Sequence, residues 1–149
     1  MAHRLTASDV RQSLRQHAAA AGAEIHARYG PQIGWPQLLR MLEDRTCVRY
    51  PCRVAFDREA LQAGECAHPV ALGPKPEEGF TMWVHPFFTT RLEDLPALVL
   101  YQLVRVNYGA FASSEDAEVF GAAALGISTD DYYQRLCQLH DLVDCQDRL

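Results

Sequence analysis

Tyr101, Gln102 and Arg105 carry most of the chemical capacity in the apolar run Leu95 to Gly109, LPALVLYQLVRVNYG. If this run is a helix, Tyr101 and Arg105, four apart, share a face with Gln102 beside them. Two imidazoles at that spacing, with a carboxylate after the first, hold a zinc ion and activate its water. A phenol, an amide and a guanidinium do none of this, so the positions imply no catalytic residue, no metal and no cofactor. Leu95, Leu98, Val99, Leu100, Leu103, Val104 and Val106 cover nearly the whole circumference, the pattern of a buried helix. Burying the Arg105 head group unpaired would cost on the order of several kcal/mol. Either it reaches water while Tyr101 and Gln102 merely pack, or the three are the remains of a site. The expectation to be tested is that Arg105 is partly buried and paired with an acid of the 114 to 118 segment.

Other reactive side chains are scattered. Cys66-x-His68, with His85 further on, reads as a soft metal site or a Cys-His nucleophile pair, although these residues form no recognised ligand spacing. Cys137 and His140 lie one helical turn apart, with Cys145 beyond, as helix packing would place them. There is no G-x-G-x-x-G, P-loop, G-x-S-x-G or EF-hand pattern, which removes the common nucleotide, acyl-transfer and calcium readings. The aromatic residues Phe80, Trp83, Phe87 and Phe88 offer a binding surface or a set of core positions.

These groups must be positioned by regular elements. Residues 6 to 29 read as a helix capped by Thr6 or Ser8 and stopped by Gly30-Pro31, packed along the domain's outside. A short helix runs from Pro36 to Glu43. Cys47 to Asp57 alternates as one or two strands broken at Pro51. The glycines and prolines between Arg58 and Gly79 predict a long loop. Phe80 to His85 is the clearest strand. Helices over about 92–108, 114–125 and 129–143 finish the chain, the last two capped by Ser113 and Ser128 with Asp116 and Asp131 three residues on.

The 149 residues, 48% hydrophobic and 22% charged, suit one domain with a continuous core. A net charge of -5 and the lack of a basic run argue against a nucleic-acid partner. No apolar run reaches the roughly 18 residues that span a bilayer, and the first residues lack a secretory apolar core, so the expectation is a cytoplasmic protein with no membrane partner. Five cysteines without C-x-x-C units fit reduced thiols.

Phe80-Thr81-Met82-Trp83-Val84-His85-Pro86, the helix from Leu98 to Gly109, and Glu115-Asp116-Ala117-Glu118-Val119-Phe120-Gly121-Ala122-Ala123 together resemble the small bacterial zincin-like metallopeptidase families. The first looks like their substrate-side strand, the second like their active helix, and the third is similar to the E-x-x-A-x-x-F-A-A helix that brings an acidic ligand. The resemblance covers roughly residues 80 to 126. It implies that Tyr101 and Arg105 stand at the two histidine positions, Gln102 at the catalytic glutamate, and Glu118 or Asp116 near the third ligand; Gly109 comes one residue late for the extended motif. An inactive relative follows, in which Arg105 supplies the positive charge that a metal would have held.

The expected architecture is therefore a single α+β domain over residues 1–149, a small mixed sheet of three or four strands packed by helices in a minimal zincin-like arrangement. The expected function is non-catalytic: binding a peptide or protein partner along Phe80, Trp83 and His85 by adding a strand to an open sheet edge. Two alternatives compete. One is a metal-dependent hydrolase using His68, His85 and Glu118, and the other a structural subunit of a homo-oligomer joined through the terminal helix.

Overall fold

Thr6 starts the first helix. Its hydroxyl accepts from the Asp9 N–H at 3.1 Å while the Asp9 carboxylate accepts from the Thr6 N–H at 3.0 Å, so two donors that the helix leaves open are met. The computed structural model describes residues 6–148. In it, α1 (Ala7–Tyr29) lies against α4 (Ser114–Leu125), burying Ala18, Gly22 and Ile25. Gly22 is required by that closeness: a Cβ there would strike the Phe120 carbonyl and stand 2.9 Å from the Ala123 Cβ. Helix α2 (Trp35–Leu42) follows, with Pro36 in its first turn and Leu38, Met41 and Leu42 buried.

Only the second half of the expected 47–57 strand region is a strand, β1 (Cys52–Phe56). Residues 47–51 instead turn against α3 (Leu95–Tyr108), because Asn107 takes their peptide groups: its Oδ1 accepts from the Arg49 N–H at 2.8 Å and its Nδ2 donates to the Cys47 carbonyl at 3.1 Å. The expected 58–79 loop is also interrupted, by β2 (Ala67–Ala71). Pro69 is tolerated in β2 because that strand lies at the sheet edge, where one side of the backbone needs no ladder donor.

The fold is α+β, and its sheet is mixed and three-stranded, in the order β1-β3-β2, with β3 (Phe80–Val84) in the middle. β3 runs parallel to β1, Cys52 opposite Phe80 and Phe56 opposite Val84, and antiparallel to β2, Ala67 opposite Val84 and Ala71 opposite Phe80. Met82 and Val84 point into the core, and Thr81 and Trp83 alternate to the half-exposed face. β3 thus has no free edge, so it cannot accept an added strand. The strand-addition expectation for Phe80, Trp83 and His85 is corrected accordingly.

Two short 3-10 turns, Pro86–Thr90 and Leu92–Asp94, lead into α3, which is buried along almost its whole length. Gly109, at φ 69°, turns the chain toward α4, which Ser113 and Asp116 cap reciprocally. Helix α5 (Thr129–Asp147) runs about a turn past the expected end at 143. Among the described residues no helix is long and apolar enough to cross a membrane.

Candidate functional site

Helix α3 presents Tyr101 and Gln102 to a cavity of about 290 Å³ that α4 closes with Glu118. Tyr101, Gln102 and Glu118, three of the five site candidates, therefore line one cavity, and Arg105 and Asp116 do not. Helix α5 adds Tyr133, Leu136, Cys137 and His140, and the start of β2 adds Glu65, Cys66 and Ala67. Burial raises the Tyr101 hydroxyl above its usual range and the Glu118 carboxylate adds to this, with Arg105 opposing. Burial likewise pushes the Cys66 thiol up to about 12. Both groups keep their protons at neutral pH, so neither is a ready nucleophile or base. His140 does not pair with Cys137; its Nδ1 lies 3.2 Å from the Gly64 carbonyl.

The charge in the cavity is acidic. Glu118 is half-buried and has no ion pair among the described residues. Glu65 accepts from the Gln62 N–H at 3.1 Å and faces His68 Nδ1 at 3.4 Å. Among the described residues no Arg or Lys lines the wall. Gln102 adds a buried amide oxygen without a hydrogen-bond partner, a state that costs about 1–3 kcal/mol and that a donor brought into the cavity could relieve.

Arg105 and Asp116 are placed differently from the expectation. Arg105 is exposed and has no ion pair among the described residues, because its long side chain leaves the apolar helix for solvent beyond the last turn of α3. Asp116 is buried, and it faces α1 instead: Arg15 Nε lies 3.7 Å from its Oδ1, and its Oδ2 accepts from the Ser113 N–H at 2.9 Å. Arg15 also reaches Glu115 at 2.5 Å. The acids of the 114–118 segment thus split, two toward α1 and Glu118 toward Tyr101.

The alternative metal site is not assembled. His85 is buried with Nε2 2.9 Å from Asp147 and Nδ1 accepting from the Phe87 N–H, and His68 faces Glu65. Among the described residues no group of three His, Cys, Asp or Glu is placed to hold a metal ion, so His68, His85 and Glu118 do not form one centre. Phe80 borders an open groove beside Arg105, and Trp83 stands on the half-exposed sheet face, so the proposed binding strand is divided between surfaces. Sequence reasoning passed over Glu65 and Tyr133 entirely. The one-turn spacing of Cys137 and His140 was the legible hint that α5 turns polar side chains toward a common wall. No family model matches the chain, and neither a curated protein nor a solved structure matches it.

Proposed function

We propose that the protein is a non-catalytic, zincin-like domain that binds a peptide or protein partner by receiving a cationic side chain in the cavity between α3, α4 and α5. The observation that carries this reading is the pairing of Glu118 and Glu65 with the rings of Tyr101 and Tyr133 in a cavity whose wall, among the described residues, holds no Arg or Lys. Carboxylates offer a counter-ion, and aromatic faces attract a cation as well as the apolar stem behind it. At about 290 Å³ the cavity lies at the small end of ligand sites, the size of one long side chain rather than an extended peptide. The protonated Tyr101 and Cys66 favour binding over chemistry.

Titration of the isotope-labelled protein with the blocked tripeptides Ala-Lys-Ala and Ala-Glu-Ala, followed by NMR, tests the reading. The lysine peptide should shift amides around Tyr101, Glu118 and Cys137, and Glu118→Gln should weaken it about tenfold. Equal response to both peptides, or none, would remove the cation from the proposal. The zincin-like part has its own test: Tyr101→His and Gln102→Glu, at the two α3 positions on the cavity wall, should together create weak zinc affinity that falls when Glu118→Ala is added. Affinity indifferent to Glu118 would mean the ion is held outside the cavity.

A further inference from the structure

Beyond the last turn of α3 lies a second concave surface of opposite sign. Two solvent-open basins of about 560 and 500 Å³ share Phe80, Arg105 and Gly109, forming one continuous depression. The larger is lined by Arg11, Arg49 and Arg105, and its apolar wall includes Tyr50, Phe80 and Phe111. Among the described residues no carboxylate lines either basin, although the chain as a whole carries -5. None of the three arginines has a carboxylate partner among the described residues. Arg49 is held in place by stacking, its guanidinium 5.8 Å from the Tyr50 ring centre, and by donating to the Asn107 carbonyl at 3.4 Å. Phe111 projects at 89% exposure and Val10 at 55%.

Unpaired guanidinium groups around an apolar floor leave both halves of the surface unsatisfied. A small anion would meet the charges and leave the aromatic side chains wet. An apolar ligand alone would desolvate the arginines without compensation. The open form also suits a segment of chain more than a compact molecule, which needs most of its surface enclosed. We infer that this groove docks an acidic segment of a partner protein in which carboxylates alternate with large apolar side chains. The carboxylates engage Arg11, Arg49 and Arg105, bidentate where geometry allows, while the apolar side chains cover Phe80 and Phe111. This inference is independent of the cationic cavity, which uses other residues.

The probe is a blocked hexapeptide alternating Glu with Phe, titrated into isotope-labelled protein and followed by NMR. Its controls are the same peptide with Lys for Glu, and oligo-dT, whose phosphates and bases could use the same arginines and rings. The Glu peptide should shift amides confined to Arg49–Tyr50, Gly79–Phe80 and Arg105–Phe111, and the Lys peptide should not. Arg49→Glu and Arg105→Glu, both at exposed positions, should keep the melting temperature and each weaken the Glu peptide about tenfold or more. Glu118→Gln should leave it unchanged, which separates failure here from failure of the cavity reading. Three results would overturn the inference: no localised shifts, equal binding of the charge-swapped peptide, or tighter binding of oligo-dT. So would a concentration-dependent dimer, in sedimentation, that Arg105→Glu abolishes, since the occupant would then be a second copy of this chain.

Discussion

Truncating Asp116 to Ala removes at once the acceptor of the Ser113 N–H and the carboxylate facing Arg15, a buried side chain serving two partly exposed partners. Loss of a cap and of a buried acceptor should cost about 1–3 kcal/mol in urea unfolding. Arg105→Ala should change stability by no more than about 0.5 kcal/mol, since the side chain is solvated. A large loss from Arg105→Ala, or none from Asp116→Ala, would reverse this assignment. The two residues also mark where reading the chain stops being informative. An i, i+4 pattern grouped Tyr101 with Arg105 on one face of α3, yet Tyr101 and Gln102 line the cavity while Arg105 lines the groove, and Glu118, on α4, joins the cavity only through the packing of α4 on α3. The pattern does not tell which neighbour each face meets. Asp116 is directed to Arg15 by the packing of α1 on α4, an approach across about a hundred residues of chain that leaves no local signature.

Among elements, the α1–α4 contact depends on one missing methyl group. Gly22→Ala must push α1 off the Phe120 carbonyl, and overpacking of this kind should cost about 1–3 kcal/mol, although Ala is the better helix former. A gain in melting temperature would mean the two helices are further apart than described. The end of α5 is tied to the turn after β3 by His85, and this tie is acid-sensitive. His85 Nδ1 accepts from the Phe87 N–H, Nε2 faces Asp147, and burial, assisted by the Arg58 charge, lowers the ring below its ordinary value of 6.5. As pH falls below about 6.5 the unfolded chain takes up the proton first, so stability present above that value is lost on acidification toward the lower folded pKa. His85→Asn keeps an acceptor without the titration and should flatten the decline in urea stability between pH 7 and 5. An identical slope would assign the acid sensitivity elsewhere. Helices were readable because their caps are local: Thr6, Ser113 and Ser128 announce themselves. Strand β2 was not, because a five-residue run containing Pro69 becomes a strand only when β3 offers it an edge. The alternation of Val48 and Tyr50 around Arg49 misled for the converse reason, since Asn107, far along the chain, claims the peptide groups that a strand partner would have used.

For the whole molecule, net charge conceals a separation of signs. A chain of -5 holds its unpaired cavity carboxylate at Glu118 and gathers Arg11, Arg49 and Arg105 around a groove that no carboxylate of the described residues lines, with α3 forming a wall of both. Composition reports only the sum, so a net charge of -5 and the lack of a basic run, which argue against a nucleic-acid partner, leave the groove invisible. The three arginines come from α1, the turn before β1, and α3, and only the fold brings them together. Occupants of the two surfaces should therefore bind without competing. Addition of the lysine tripeptide at saturation should leave the affinity for the acidic hexapeptide within about twofold, and strong mutual exclusion would show that the surfaces are not separate.

Helix α5 carries two exposed thiols, and only one of them, Cys137, lines the cavity. Cys145 lies eight residues on, about 12 Å along the axis, too far for a disulfide between them. The pair is a ratiometric reporter: alkylation of Cys137 measures occupancy, and alkylation of Cys145 on the same molecule normalises for reagent and folding. Native protein should react quickly at these two sites, while Cys47, Cys52 and Cys66 wait for denaturant. An occupant of the cavity should slow Cys137 alone, so a library of cationic compounds could be ranked by mass spectrometry of one helix with no activity assay. Equal slowing at both thiols would mean the compounds do not act through the cavity.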